Sequence, residues 1–295
     1  MDNKFPGKDI SQEDLKTKFP LAAKKNNKHR SKFKIAGVEF GGNLIPIFAG
    51  PNMVESKDLI FDVAKNVKKI GAHFLRGGAF KPLTFPYRNE KYTETREKGI
   101  EWLALAKEKF KIPIITEIME DKYIDLVAES ADILQIGSRN MQNYPLISAC
   151  AKTQKPLMIK RHYGASLRDW LGAAEYALIE GNERIILCER GVSAPHTHRS
   201  TSRFLIDLQV VPAAQEVTHL PIVVDPSHAT FWRSWVKPMS LAAVAAGADG
   251  IMLEVHPTPE KSAVDPLQSI DYSNFKHLMQ SMDKVAKSVS KKFIF

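Results

Sequence analysis

Eight short apolar runs, spaced widely enough for a helix between most neighbours and nearly all ending on a charged or polar residue, govern what this chain can fold into. They close at Ala49-Gly50-Pro51-Asn52, Leu75-Arg76-Gly77-Gly78, Ile115-Thr116-Glu117, Gln135-Ile136-Gly137-Ser138-Arg139, Ile159-Lys160-Arg161, Cys188-Glu189-Arg190, Val224-Asp225-Pro226-Ser227-His228 and Leu253-Glu254-Val255-His256. Repeated strand-then-helix units give a parallel sheet with right-handed crossovers. The spacing predicts an α/β fold, a (β/α)8 TIM barrel, with strands near 45–49, 73–77, 113–117, 132–136, 156–160, 184–188, 221–225 and 249–254. Helices are expected over 56–70, 94–110, 144–152, 167–180, 239–246 and 271–289, with Ser56 as an N-cap. An open doubly wound sheet fits less well. No glycine-rich dinucleotide fingerprint follows the first run, and the charged ends come from every strand.

A barrel gathers the carboxyl ends of its strands on one face, where its active site is built. Arg76, Lys81, Arg139, Lys160 and Arg190 all fall at or just beyond such ends. Cations converging there describe a pocket for a small polyanion, most simply a phosphorylated carboxylic acid.

No Gly/Ser/Pro-rich linker divides the 295 residues, so the expected organisation is a basic leader over 1–34 and one catalytic barrel over 35–295. The barrel domain includes an N-terminal hairpin and a C-terminal helix. Residues 33–43 alternate and run into Gly41-Gly42-Asn43, which predicts a hairpin plugging the barrel. The net charge of +9 needs locating: residues 1–34 hold ten Lys/Arg against four acidic residues. The excess therefore belongs mostly to the leader, expected to be solvated and partly mobile. Nucleic-acid binding would want basic residues interleaved with stacking aromatics, and none are seen. No apolar run approaches the ~20 residues that span a bilayer. With no signal peptide and only Cys150 and Cys188, the chain is expected in the reducing cytoplasm.

Seven motifs then carry a resemblance: Ala49-Gly50-Pro51-Asn52-Met53-Val54-Glu55-Ser56, Arg76-Gly77-Gly78-Ala79-Phe80-Lys81-Pro82, Gln135 through Asn143, Lys160-Arg161, Cys188-Glu189-Arg190-Gly191, Asp225-Pro226-Ser227-His228-Ala229-Thr230 and Glu254-Val255-His256-Pro257. In this order and spacing the chain resembles the short-type 3-deoxy-arabino-heptulosonate 7-phosphate synthases and their sister 3-deoxy-manno-octulosonate 8-phosphate synthases. The resemblance covers roughly residues 34–280. It implies an aldol-type condensation of phosphoenolpyruvate with an aldose phosphate, releasing phosphate and leaving a 3-deoxy-2-ulosonate phosphate. By resemblance, Lys160, His228, Asn52, Glu254 and Asp265 are the candidate catalytic residues, and Arg76, Lys81, Arg139, Arg161, Arg190, Arg203 and Thr84 the candidate substrate contacts. It also implies a homo-oligomer, with Phe293-Ile294-Phe295 against a neighbouring subunit; some relatives carry an added regulatory domain, for which this leader is too short, so built-in feedback control is not expected.

Two departures from the family pattern shape the expectations. The heptulosonate synthases hold a metal through Cys, His, Glu and Asp; His228, Glu254 and Asp265 match the last three, and Asn52 stands at the Cys position. A neutral amide is a poor transition-metal ligand, and the metal-independent octulosonate branch carries Asn there. Catalysis without a required cofactor is therefore expected. The alternative is a divalent metal, Mn²⁺ or similar, held weakly by His228, Glu254 and Asp265. Second, the loop reading Lys-Pro-Arg-Thr-Ser in the heptulosonate enzymes is Lys81-Pro82-Leu83-Thr84-Phe85 here. Leucine cannot bind phosphate, so Arg88, His162, His196, His198, Arg199, Arg203 and Arg233 become candidates for the aldehyde's phosphate. An octulosonate-type or specialised synthase is the alternative reading, and a non-catalytic phosphoenolpyruvate or sugar-phosphate sensor is a rival of another class.

Overall fold

The eight apolar runs become the strands of a closed parallel barrel in the computed structural model, which describes residues 11–80, 94–195, 198 and 204–293. The strands are β1 (Ile47–Gly50), β2 (Phe74–Arg76), β3 (Ile114–Ile118), β4 (Ile133–Ile136), β5 (Leu157–Lys160), β6 (Ile185–Glu189), β7 (Ile222–Val224) and β8 (Gly250–Glu254). Each pairs with its chain neighbours, and β8 closes on β1 with Glu254 opposite Gly50. Outside them lie α1 (Lys57–Ile70), α2 (Arg96–Phe110), α3 (Ile124–Ser130), α4 (Tyr144–Lys152), α5 (Leu167–Ile179), α6 (Val210–Val217), α7 (Arg233–Ala245) and α8 (Tyr272–Ser288). Ser56 caps α1, its hydroxyl accepting from the Leu59 amide at 3.2 Å, while Gly71 ends the helix at φ 117°. Helix α7 begins six residues before its apolar periodicity suggests, and carries Pro238 in its interior.

Side chains alternate across a strand, so each strand sends every second residue inward. Phe48, Phe74, Ile115, Ile133, Met158, Ile186, Cys188, Val223 and Met252 form the buried inner layer, two from β6 and one from each other strand. Their neighbours Ala49, Leu75, Ile114, Leu134, Ile159, Leu187, Val224 and Leu253 pack outward in the larger core shared with the helices. The hairpin of Phe33–Ile35 and Val38–Phe40 plugs the barrel as expected: Ile35 and Phe40 join the inner layer, and the Phe40 ring lies 5.7 Å from Phe74. Its turn is Ala36-Gly37, both at positive φ (47° and 85°), rather than Gly41-Gly42-Asn43. Two successive left-handed residues make the turn whose twist suits a two-residue hairpin.

The leader departs from expectation. A boundary at residue 34 cuts through the first hairpin strand, and residues 11–32, although most of their lysines are exposed, are anchored to the barrel at a few points. Phe19, Ala22 and Ala23 are buried, and the Leu21 and Ala22 amides donate to the Glu175 carboxylate of α5 at 2.8 and 2.9 Å. Counting charge concealed these apolar anchors among the lysines. Some of the basic charge is also paired: Arg30 and Lys291 both bind the buried carboxylate of Asp249. Phe293 is likewise buried in its own chain's core, so it is not offered to a neighbouring subunit; Ile294 and Phe295 lie outside the described residues. Cys150 and Cys188 are buried free thiols. Among the described residues no helix is long and apolar enough to cross a membrane.

One contact makes the leader's attachment pH-sensitive. His219 lies between Ser31 Oγ (2.6 Å from Nδ1) and the Leu21 carbonyl (2.7 Å from Nε2), stacked on His29 at 4.3 Å. Burial pushes its pKa down, and His29 and Lys25 push the same way, against the Leu21 carbonyl and Glu183. The unfolded chain, titrating near the ordinary ~6.5, takes up the proton more readily than the folded one. The stabilising contribution is thus complete above that pH and is lost as pH falls below it. Melting temperature followed from pH 7.5 to pH 5 should fall less in His219→Gln than in the parent; identical slopes would remove His219 from the account.

Candidate active site

Inward alternation carries the functional residues to the mouth. Arg76 stands two residues beyond Phe74, Glu117 two beyond Ile115, Gln135 two beyond Ile133 and Lys160 two beyond Met158. Arg190, Asp225 and Glu254 follow the inner residues Cys188, Val223 and Met252 at the same interval, and Asn52 lies four beyond Phe48. The apolar inner layer ends where a polar one begins. Asn52, Arg76, Glu117, Gln135, Arg139, Lys160, Arg190, His228 and Asp265 together line a cavity of about 440 Å³. Gly50 permits the close strand approach there, since a Cβ on it would stand 2.1 Å from the Arg76 carbonyl oxygen.

The cations differ in setting. Arg76 and Lys160 are buried, Arg190 is half-buried and Arg139 exposed at the rim. Lys160 Nζ lies 2.5 Å from Asp225 Oδ2. Arg190 stacks over Phe204, 4.2 Å from ring centroid to guanidinium carbon, which fixes the plane of its fork. Arg76 has Nε and Nη1 buried with no hydrogen-bond acceptor among the described residues; its nearest carboxylate contact is Glu254 Oε2 at 4.0 Å from Nη1. A buried guanidinium left with open donors is strongly drawn to an anion that would fill them.

Behind the cations stands a titrating cluster. His228 Nδ1 is 2.8 Å from Asp225 Oδ2 and its Nε2 is 3.6 Å from Glu254 Oε2. Burial pushes His228 down to about 3, with Lys160 and Arg76 adding to it, so the ring is neutral at pH 7. Burial alone would raise Asp225, yet His228 and Lys160 hold it well below the usual carboxylate range. Glu254 goes the other way. Burial, with the Asp265 charge beside it, pushes it up to about 8, so it keeps a proton at neutral pH. Gln268 Nε2 and Ser269 Oγ donate to Glu254 at 2.6 and 2.8 Å and fix its position.

Asn52 ties the two groups together. Its amide nitrogen donates to Asp265 Oδ2 and its amide oxygen accepts from Arg76 Nη2 at 3.5 Å. Turning the amide over would set NH₂ against a guanidinium and oxygen against a carboxylate, so charge on both sides fixes its orientation. A metal can be tested against this geometry. Ligand atoms of His228, Glu254 and Asp265 lie within 4.8 Å of one another, and Asp225 on His228 Nδ1 is the carboxylate partner that commonly orients a metal-binding histidine. Three corners therefore fit an ion. The fourth does not, because Asn52 presents donor hydrogens where a ligand needs a lone pair.

Most expected site residues meet here: Asn52, Arg76, Arg139, Lys160, Arg190, His228 and Asp265 line the cavity, with Glu254 directly behind. Arg161 does not. It has outward parity, donates from Nη1 to Glu189 Oε2 (3.1 Å) and Asp207 Oδ2 (2.7 Å), and its guanidinium carbon lies 5.9 Å from the Trp170 ring centroid. Its charge holds β5 to β6 and the chain leading into α6, and is spent before any substrate arrives. His162 lies tilted against Tyr163, His198 lies edge-on to Trp235, and Arg233 faces the outer side of the loop after β8; none of them lines the cavity. Lys81, Leu83, Thr84, Phe85, Arg88, His196, Arg199 and Arg203 lie outside the described residues. Sequence reasoning assigned no role to Glu117, Asp225, Tyr163, Gln268 or Ser269. The parity rule would have found Glu117 and Asp225. Gln268 and Ser269 sit on a loop with no period to betray them.

Residues 20–291 match the model of the DAHP synthetase I family. The chain is 39% identical over 274 residues to the phospho-2-dehydro-3-deoxyheptonate aldolase of Thermotoga maritima, covering 93% of this chain and 79% of that protein. The crystal structure of that aldolase superposes with a TM-score of 0.85, covering 92% of this chain and 77% of the other. A truncated form of the Thermotoga maritima 3-deoxy-D-arabino-heptulosonate 7-phosphate synthase gives 0.84 at 37% identity, covering 93% of this chain and 99% of that one. A 2-dehydro-3-deoxyphosphooctonate aldolase of Acinetobacter baylyi is 30% identical over 264 residues, 83% of this chain and 90% of that protein.

Proposed function

The chain belongs to the DAHP synthetase I family, and from that premise we propose that it condenses phosphoenolpyruvate with an aldose phosphate, in the manner of the heptulosonate-type synthases. The observation that carries the reading is the pairing, in one cavity, of inward cations at strand ends with a neutral histidine and a proton-bearing glutamate behind it. Arg76, Lys160, Arg190 and Arg139 would hold the phosphate and carboxylate. Arginine forks meet two oxygens at once and Lys160 supplies point charge. In the reaction, C3 of phosphoenolpyruvate attacks the aldehyde carbon, water adds at C2, and the C2–O bond to phosphate breaks. The two protons of that water end on the new hydroxyl and on the released phosphate, so the equation balances without an external acid.

The residues distribute this proton traffic. Glu254 keeps a proton at neutral pH, and His228, 3.6 Å away, lies between it and the cavity, so this pair is assigned the proton for the aldehyde oxygen. Glu117, inward on β3 and accepting from Gln135 Nε2 at 3.3 Å, is assigned the proton of the attacking water. Asp265 raises the proton affinity of Glu254 and, through Asn52, steadies Arg76. No metal is required in this scheme; a divalent ion, if bound, would be held by His228, Glu254 and Asp265 and would polarise the aldehyde oxygen. A cytoplasmic homo-oligomer is part of the same proposal, supported for location by two unpaired buried cysteines.

The test is phosphate release from phosphoenolpyruvate with erythrose 4-phosphate, arabinose 5-phosphate, ribose 5-phosphate or unphosphorylated sugars, with and without strong chelator. Release that requires one of these aldehydes, with loss of phosphoenolpyruvate in equal amount, is expected. Arabinose 5-phosphate as the sole productive partner would instead select the octulosonate reading. Saturable phosphoenolpyruvate binding with no turnover on any aldehyde would leave only a sensor.

A further inference from the structure

The loop that follows β8 carries Asp265, Gln268 and Ser269 into the site, yet its two ends are pinned only at the strand. The His256 amide donates to the Ile270 carbonyl and the Ile270 amide to the Glu254 carbonyl, both at 3.0 Å. Between these points the chain leaves the barrel and returns, and Asp265 sits in the left-handed region at φ 51°, a costly conformation for a non-glycine residue that its surroundings must enforce.

We infer that Arg233 is a positioning residue for the reaction proposed above, clamping this loop from outside so that Asp265 and Gln268 meet the site in register. Its backbone amide donates to the Leu267 carbonyl at 2.7 Å and its Nη2 to the Pro266 carbonyl at 2.9 Å, the two residues next to Asp265. Nη1 pairs with Glu260 on the outgoing limb of the same loop. The guanidinium thus spans both limbs. The Glu260 end is largely solvent-exposed, where an ion pair contributes little; the charged bond to the Pro266 carbonyl is the part that positions. A second brace acts on the other side, where Glu55 Oε1 accepts from the Ala263 amide at 2.9 Å and faces His256 Nε2 at 3.5 Å. The inference rests on the assigned reaction for its kinetic consequence and not for its geometry.

Arg233→Met keeps the apolar stem and removes the donors. We expect kcat to fall about tenfold, roughly what one charged hydrogen bond supplies. KM for phosphoenolpyruvate should change less than kcat, because of its proposed contacts only Arg76 is linked to the clamped loop, through Asn52, while Lys160 and Arg190 are not. In an Asp265→Asn background the same change should have a clearly smaller further effect, only the part that passes through Gln268, since the other residue it places is already disabled. Glu260→Gln should match the parent. Arg233→Lys, keeping one donor, should fall between and carries the same cycle if the methionine variant does not fold. Amide hydrogen exchange over residues 263–270 should accelerate in Arg233→Met. Unchanged kcat, an equal loss in both backgrounds, or a raised KM with kcat intact would overturn the clamp. Should the parent show no turnover, the reaction assignment falls and exchange alone decides: unaltered protection of the loop would then defeat the inference.

Discussion

Lys160→Met is expected to lower kcat/KM for phosphoenolpyruvate by about a thousandfold or more while the barrel still folds. Lys160 Nζ sits 2.5 Å from Asp225 Oδ2 with both side chains buried, and it is one of the inward cations of the cavity. Removing one partner of a buried pair costs the fold about 3–5 kcal/mol because the other charge is stranded, so folding is checked by melting temperature. Losing a buried hydrogen-bonded charge from a binding site costs about 2–5 kcal/mol, which at about 1.4 kcal/mol per factor of ten is roughly one and a half to three and a half decades, before any loss confined to the transition state is added. Methionine keeps most of the apolar stem, so packing around Met158 and Ile186 changes little. His228 offers a readout that simple destabilisation would not mimic. The Lys160 charge is among the causes holding His228 at about 3, so without it the ring should titrate higher, and nitrogen chemical shifts of the imidazole would report it. A kcat/KM within tenfold of the parent, or an unmoved His228 titration, would remove Lys160 from the centre of the reaction.

The barrel was legible because parallel strands covered on both sides read as uninterrupted apolar runs, and eight such runs at helix spacing leave few alternatives. The cavity was legible for the same reason at its ends, where the apolar run must stop for the mouth to be wet. What ordinary motif reading lacked was parity. Lys160 and Arg161 are adjacent cations in one motif, yet a period of two sends one into the cavity and the other outward to Glu189 and Asp207. Counting from Met158 separates them without coordinates. The leader was misjudged through averaging: its net charge is high, but Phe19, Ala22 and Ala23 bury themselves and Glu175 accepts two of its amides. Loop residues escape both kinds of reasoning. Gln268, Ser269 and the Arg233 clamp act through long-range contacts that no local periodicity encodes.

Asn52→Cys is expected to make turnover respond to added metal. In the parent, the amide joins Arg76 to Asp265 through both of its ends, and chelator is expected to leave turnover unchanged. Cysteine can make neither bond well. Chelated variant enzyme should run about 10- to 100-fold below the parent, the cost of leaving buried polar groups unsatisfied. Adding Mn²⁺ or Zn²⁺ supplies what is missing, because a thiolate completes a four-ligand set with His228, Glu254 and Asp265 and is a soft, charged anchor where the amide was a donor. The restoration carries its own pH signature. Glu254, raised to about 8 by burial and by Asp265, must give up its proton to ligate, as must the thiol, so metal affinity should weaken as pH falls below that value. Titrating the variant with metal at pH 6.5 and pH 8.5, by activity and by direct binding, tests both statements together. A parent silenced by chelator and restored by metal would show that three ligands suffice and that Asn52 is no barrier. A variant that binds no metal at either pH would show that the three matching residues are not arranged to hold one, and the proton-storing role of Glu254 would then be their whole function.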